Sequence, residues 1–150
     1  MIRVVSKEEI DCPINEVFEK LIDIDGYPEW MPNNGLFVNC YINTEGPIGV
    51  GTGYIDKTRL GTVQGEISAF DRPHRVVFHY TDHMFGKKMM DGWPGYTLES
   101  DGDSSTRVHH VAEARLYGFY RLFEPLLRII ARRERQRTVD ALKASLKSSH

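Results

Sequence analysis

Two periodicities divide the chain, a helical one near its C-terminus and a strand-like alternation before it. Between residues 119 and 147, apolar positions recur at the spacing of one helix face. This face comprises Phe123, Leu127, Ile130, Ala131, Thr138, Ala141 and Leu142, with Glu134 close to its centre. Pro125 lacks an N–H group, so we expect it to mark the helix start or a kink. The pattern predicts one long C-terminal helix with Arg128, Arg132 and Lys143 on its solvent side.

Before this helix, most apolar residues alternate with polar ones at the period of a β-strand. Turn-forming residues divide this region into seven predicted strands, at residues 2–11, 36–43, 52–60, 62–70, 74–81, 88–100 and 106–117. Two short helices are expected between the first two strands. One covers residues 16–22, and the other follows a cap at Asp23 and runs through Trp30.

Short connections between neighbouring strands predict an antiparallel meander. We expect a turn at Asn33-Asn34-Gly35, a polar loop at residues 82–88 and an interruption of the sixth strand at residues 92–95. A seven-stranded sheet needs one face covered, and only the C-terminal helix is long enough to cover it. The predicted fold is therefore α+β, a single domain over residues 1–150 with a curved sheet wrapped around that helix.

Charge is distributed unevenly, although the net charge is only -2. Residues 107–150 carry 10 Lys and Arg against 4 Asp and Glu, and most of this basic excess lies in residues 128–137. Such a segment is either a solvated helix face or a contact for an anion, RNA or a membrane surface. Because the acidic remainder would repel polyanions, we do not favour nucleic acid or a membrane surface as partner.

The N-terminal sequence has no signal-peptide hydrophobic region, and no apolar run approaches the roughly 20 residues of a membrane span. We therefore expect a cytoplasmic protein. Its two cysteines, Cys12 and Cys40, do not form a disulfide framework, and we expect buried, unreactive thiols. No catalytic or phosphate-binding motif is present, and the histidines lack metal-ligand spacing, so we predict neither cofactor nor metal.

Several short segments occur in an order and spacing typical of one family. They are Cys12-Pro13-Ile14 before Val17-Phe18, then Asp23, Tyr27, Trp30 and Pro32, residues 50–54, Asp71-Arg72-Pro73 before residues 75–78, Thr106-Arg107-Val108, and Leu142. Over nearly its whole length the chain resembles the START-like, helix-grip (SRPBCC) superfamily, in its polyketide cyclase/dehydrase and lipid-transport branch. The resemblance implies a cavity between sheet and helix for an apolar or amphipathic molecule such as a lipid, polyketide or quinone. The family shares no fixed catalytic motif, so it assigns no catalytic residue.

Candidate ligand-binding residues are those expected to face this cavity, namely Trp30, Tyr54, Phe78, Tyr80, Trp93, Tyr96, His110, Leu127, Ile130 and Glu134. His110 either meets a ligand as acid–base group or is a core histidine satisfied by a neighbouring hydroxyl. Glu134 is either a desolvated base or a carboxylate paired with an arginine at the rim. Small residues opposite the helix should leave the void, namely Gly53, Gly65, Ala112 and Ala114.

Three functions are compatible with these features. The first is a carrier or binding protein for a small apolar or amphipathic molecule, favoured by the aromatic residues and the missing catalytic motif. The second is an enzyme of the polyketide cyclase or dehydratase type, with a pocket His, Glu or Tyr as acid–base group. The third is an interaction module that uses the basic helix. We expect a monomer or a homodimer in each case.

Overall fold

The structure, a computed structural model, describes residues 1–32 and 34–147. In chain order the elements are β1 (Ile2–Ile10), α1 (Ile14–Ile22), a first 3-10 helix (Ile24–Glu29), β2 (Phe37–Ile42), β3 (Gly53–Thr58), β4 (Gly61–Asp71), β5 (Arg75–Met84), β6 (Lys87–Ser100), β7 (Thr106–Leu116), a second 3-10 helix (Gly118–Phe123) and α2 (Glu124–Lys147). The expected turn at Asn33-Asn34-Gly35 includes Asn33, which lies outside the described residues.

All seven strands form one antiparallel sheet in the order β1-β7-β6-β5-β4-β3-β2. Strands β2 to β7 each pair with their neighbours in sequence, as expected for a meander, and β1 closes the other edge by pairing with β7. The backbone of α2 approaches β1 more closely than any other strand. The helix-grip fold predicted from the sequence, with two short helices between the first two strands, is confirmed.

Two local predictions in the middle of the sheet are wrong. The expected polar loop at residues 82–88 is mostly strand, because β5 and β6 are joined by a two-residue turn at Phe85 and Gly86, with φ of 54° and 76°. A turn with two positive φ values follows the natural twist of a hairpin. The expected break at residues 92–95 is also absent, and β6 runs straight through. Its pairing with β5 skips Trp93 and Pro94, where proline has no N–H to donate.

The predicted C-terminal helix begins differently from the expectation. Residues 118–123 form a 3-10 helix, and α2 starts at Glu124, with Pro125 in its first turn as expected. Phe123, predicted on the buried face, is 51% exposed, because the tighter 3-10 turn changes the phase of the helix before that point. No helix within the described ranges is long and apolar enough to cross a membrane.

The two halves of α2 pack into different apolar clusters. Leu142 and Leu146, near the C-terminal end, join the larger cluster with α1 residues such as Phe18 and Leu21. Leu127 and Ala131, nearer the start of α2, pack on a smaller cluster formed by Ile2, Val4 and Leu116. Leu146 is buried although the periodicity analysis does not place it on the inner face. The helix is thus anchored at two separate points along its length.

On the face of the sheet away from α2, Asp91 is the centre of a polar network. It is only 4% exposed. Its carboxylate accepts hydrogen bonds from the hydroxyls of Thr81 and Tyr117, both at 2.9 Å, and lies 3.2 Å from the ammonium of Lys88 and the Nε2 of His79. Burial alone would raise the pKa of Asp91, but these hydrogen bonds outweigh it and lower the pKa to about 2.

We expect Asp91→Asn to destabilise the protein at pH 7 and to weaken its response to acid. The folded-state pKa lies below the unfolded value of about 3.9, so the stabilisation is complete above pH 4 and disappears as the pH falls through 2. Urea unfolding should show a loss of about 1–3 kcal/mol at neutral pH, shrinking toward pH 2. The control Asp103→Asn changes an exposed loop carboxylate. Equal losses at every pH would contradict the assignment.

Candidate functional site

A cavity of about 250 Å³ lies between the inner face of the sheet and α2. Members of both apolar clusters contribute to its wall. Because strand side chains alternate between faces, the even-numbered positions of β3, β5 and β6 face the cavity. Its strand and helix lining includes Tyr54, Asp56, Phe78, Tyr80, Asp82, Met90, Pro94, Tyr96, Ala112, Ala114, Leu127, Ile130, Ala131, Glu134, Arg135 and Thr138. A second depression, on the surface of α1, is open to solvent.

Seven of the ten candidate residues line this cavity, namely Tyr54, Phe78, Tyr80, Tyr96, Leu127, Ile130 and Glu134. Trp93 does not, because β6 continues unbroken and places odd-numbered side chains on the outer face. There its ring stacks on that of His79 with centroids 4.8 Å apart. Trp30 also lies outside the lining and packs at the core edge, with its ring centroid 5.2 Å from that of Tyr27.

His110 is the third candidate outside the lining. It is fully buried, its ring stacks on that of Tyr96 with centroids 4.1 Å apart, and its Nδ1 lies 2.8 Å from the Gly95 carbonyl oxygen. Burial, followed by the positive charge of Arg135, lowers the pKa of His110 to about 3, so the imidazole is neutral and Nδ1 donates. His110 is therefore placed in the core, where a backbone carbonyl and not the expected hydroxyl is the hydrogen-bond partner of its Nδ1. Its Nε2 has no hydrogen-bond partner among the described residues.

Glu134 occupies the rim of the cavity. Its carboxylate accepts a hydrogen bond from the backbone N–H of Leu36 at 3.2 Å and lies 3.8 Å from the guanidinium of Arg137. A Cβ at Gly35 would lie 2.8 Å from both carboxylate oxygens, so a side chain there would displace the end of the Glu134 side chain. Of the two alternatives for Glu134, the geometry matches the carboxylate paired at the rim.

Two charged residues that sequence reasoning missed lie in the cavity wall. Asp56, on β3, has a buried carboxylate oxygen that accepts no hydrogen bond from the described residues. Burial raises the pKa of Asp56 to about 6, against the opposing effect of Arg135. Arg135, on α2, forms no ion pair or hydrogen bond with any described residue. The signal was available: Asp56 alternates in step with Tyr54, and position 135 is four residues after Ala131 on the inner face.

The tyrosines of the wall keep their hydroxyl protons. Burial raises the pKa of Tyr54, Tyr80 and Tyr96, so each phenol stays neutral at ordinary pH. None of these three hydroxyls is hydrogen-bonded to a described residue, whereas the hydroxyl of Tyr27 donates to the Leu21 carbonyl. The cavity therefore combines aromatic walls with polar groups that a bound molecule could satisfy. No cluster of His, Cys, Asp or Glu suited to a metal occurs in residues 1–32 and 34–147.

Small residues shape this wall differently from the expectation. Ala112 and Ala114 line the cavity, but Gly65 lies under the ring of Tyr54, its partner on the adjacent strand. A Cβ at Gly65 would overlap that ring. The tyrosine ring therefore fills the space above the glycine, and Gly65 adds no volume to the cavity. Gly53 faces away from the cavity, toward Asn43 and Thr44.

We expect Leu142→Ala to destabilise the protein by about 2–5 kcal/mol, because it leaves a cavity in a fully buried cluster. Leu127→Ala should cost only about 1 kcal/mol, since Leu127 is half-buried and already borders empty space. Urea unfolding of both variants measures the difference. Equal losses would mean that Leu127 is packed as tightly as Leu142 and does not border a cavity.

We expect Gly65→Ala to displace the Tyr54 ring and destabilise the protein by about 1–3 kcal/mol in urea unfolding. Gly49→Ala is the control, because an added Cβ there meets no atom within 4 Å. An added Cβ would also lie 2.8 Å from the backbone carbonyl oxygen of His79 on β5. In a Tyr54→Ala background the part of the cost of Gly65→Ala that comes from the ring should disappear, and the part that comes from this carbonyl should remain. A cost that stays the same in both backgrounds would mean that the ring contributes nothing to it.

Solved structures with this fold come from several bacteria. A START superfamily protein from Mycobacterium smegmatis shares 12% sequence identity, with 99% of both chains covered and a TM-score of 0.73. The protein TTHA0849 from Thermus thermophilus shares 14% identity, with 98% of each chain covered and a TM-score of 0.74. The di-domain ARO/CYC StfQ from the steffimycin biosynthetic pathway shares 18% identity over 95% of this chain and 44% of its own, with a TM-score of 0.66.

At such identities, these structures establish a common fold and nothing further. Among curated proteins, no sequence matches this chain at a significant level. The family model for polyketide cyclase/dehydrase and lipid transport, however, matches residues 1–147. That match covers almost every residue that builds the sheet, α2 and the cavity between them. The chain therefore belongs to the polyketide cyclase/dehydrase and lipid transport family, within the START-like, helix-grip superfamily.

Proposed function

We propose that this protein binds a small apolar or amphipathic molecule between the sheet and α2 and carries it unchanged. The supporting observation is the cavity of about 250 Å³, with a wall of apolar and aromatic side chains and a few unpaired polar groups. Such a combination is typical of small-molecule sites, where apolar surface supplies affinity and polar groups set orientation. The family match and the similarity to a START superfamily protein support the same function.

Asp56 and Arg135 favour an enzyme of the cyclase or dehydratase type as a second candidate. A carboxyl group with a pKa of about 6 is suited to general acid–base work near neutral pH. A guanidinium beside it would stabilise negative charge developing on a substrate oxygen. The residues first considered for this role are less suitable, because His110 is neutral behind Tyr96 and Glu134 is tied to Leu36. The likeness to StfQ, described as an ARO/CYC protein, is compatible with this candidate.

The third candidate, an interaction module, has little support from the basic segment. Arg128 lies 3.4 Å from Glu124, and Arg137 lies near Glu134. Arg135 turns into the cavity, so it is not part of an external basic surface. Arg132 and Arg133 are thus the exposed arginines of this segment that form no ion pair with a described residue.

Native mass spectrometry of the purified chain tests the binding function. We expect a bound small molecule to add its mass to the wild type, and Ala112→Phe to lose it because the new ring fills the cavity. Val111→Phe is the matched control, since position 111 is next on β7 and faces the opposite side of the sheet. A wild type without any added mass, and without saturable binding of decanol, would rule out the proposal.

Identifying the molecule that is extracted from the protein distinguishes a carrier from an enzyme. The molecule extracted from wild type is compared by liquid chromatography and mass spectrometry with that extracted from Asp56→Asn. A carrier releases the same molecule from both proteins. An enzyme that uses Asp56 in acid–base chemistry releases product from the wild type and unconverted substrate from Asp56→Asn.

A further inference from the structure

Asp56 and Arg135 are two opposite charges that line one cavity without meeting. The guanidinium of Arg135 is near enough to oppose the rise in the pKa of Asp56, yet no salt bridge joins them. One carboxylate oxygen of Asp56 is fully buried and receives no hydrogen bond from any described residue. Burying two charges without pairing them costs free energy in an empty protein. Both residues are half-buried, so a molecule in the cavity that satisfies both charges would reduce this cost.

The chemistry of these two groups restricts what that molecule can be. A guanidinium presents only donors, and its planar fork fits the two oxygens of a carboxyl group. Asp56 needs a donor, which means an O–H or N–H group. A ketone only accepts, so it satisfies Arg135 alone. An alcohol can donate to Asp56 and accept from Arg135, but it is uncharged and offers a single oxygen to the guanidinium fork. An amine would pair with Asp56 while being repelled by Arg135. A carboxyl group that retains one shared proton serves both.

We infer that the molecule held in this cavity carries a carboxylic acid group, which accepts hydrogen bonds from Arg135 and shares one proton with the carboxyl group of Asp56. The inference rests on the proposed binding function and specifies its ligand class. The apolar remainder of the ligand lies along the aromatic wall formed by Tyr54, Phe78 and Tyr96.

Proton uptake follows from charge balance. Arg135 and an ionised Asp56 together are neutral, so a bound carboxylate adds one uncompensated negative charge in a poorly solvated space. Taking one proton from solvent restores neutrality, and two carboxyl groups that share a site hold such a proton firmly. Binding should therefore tighten as the pH falls from 8 toward 6, where Asp56 becomes protonated in the free protein.

Between pH 6 and pH 8, the other ionisable groups around Asp56 keep their protonation state, or a control variant tests them. It faces Cys40 on β2, Tyr54 on its own strand, Tyr80 and Asp82 on β5, and Arg135 on α2. Burial raises the pKa of the Cys40 thiol and of both phenols, so all three remain neutral. Burial also raises the pKa of Asp82, which accepts a hydrogen bond from Tyr120, so Asp82→Asn serves as a control.

The experiment compares four probes with one apolar tail: decanoic acid, decanol, methyl decanoate and decylamine. Isothermal titration calorimetry of the ligand-stripped full chain measures each affinity. We expect decanoic acid to bind at least about tenfold more tightly than decanol at pH 6, as charge-assisted hydrogen bonds require. Arg135→Gln should remove this preference by lowering the affinity for decanoic acid far more than the affinity for decanol. Arg133→Gln, which changes an exposed arginine two residues away, should have no effect.

Proton uptake is measured by repeating the titration in buffers of different ionisation enthalpy. At pH 7 the wild type and Asp82→Asn should take up close to one proton with decanoic acid. Asp56→Asn should take up almost none, and its affinity for the acid should lose the roughly 25- to 50-fold rise expected between pH 8 and pH 6 for the wild type. Equal uptake in all three proteins would overturn the role of Asp56.

The remaining outcomes distinguish this inference from the function on which it rests. If decanol and the ester bind but the acid binds no better, the binding function stands and the carboxylic acid assignment is wrong. The assignment is equally wrong if Arg135→Gln weakens all four probes alike. If no probe binds, both the proposed function and this inference fail.

Discussion

Attachment of α2 at two separate points is the constraint on which this structure depends. The C-terminal half packs into the larger apolar cluster with α1, and the start of the helix rests on Ile2, Val4 and Leu116. A helix bends only gently over this length, whereas the sheet beneath it curves. The middle of α2 therefore stands away from the central strands, and the space between them becomes the cavity. The site arises from the difference in curvature between two elements, and loop residues such as Pro32 and Leu36 complete its wall.

Element order and turn chemistry made the fold predictable. Seven strands joined by short connections leave one helix to cover the sheet, and this argument survives errors of several residues at element ends. The predicted side-chain orientations were more sensitive to such errors. We expected a break in the sixth strand at residues 92–95. Across such a break, the side-chain alternation before residue 92 does not tell which face the residues after it occupy. Trp93 is consequently predicted on the wrong face, while its neighbours Met90 and Tyr96 face the cavity.

The polar part of the candidate site was harder to predict, for a different reason. The basic segment of the helix resembles a solvated face, and composition does not show which arginine of a run turns inward. Arg135 does so because it follows the inner face of α2 from Ala131 to Thr138. Asp56 was hidden in a similar way, since an aspartate in a strand usually faces solvent. Both become conspicuous only when the pairing partners of every charged group are known.

One hydrogen bond on the opposite side of the sheet bears on the shape of this cavity. The hydroxyl of Tyr117 donates to Asp91 at 2.9 Å, and the backbone N–H of Tyr117 donates to the Met89 carbonyl at 2.9 Å. Tyr117 lies where the chain leaves β7, just before Gly118 and the second 3-10 helix, which leads into α2. These two bonds thus hold the end of β7 from which the chain leads to α2. A cavity that lies between the sheet and α2 is consequently connected to residues on the opposite face of the sheet, which do not line it.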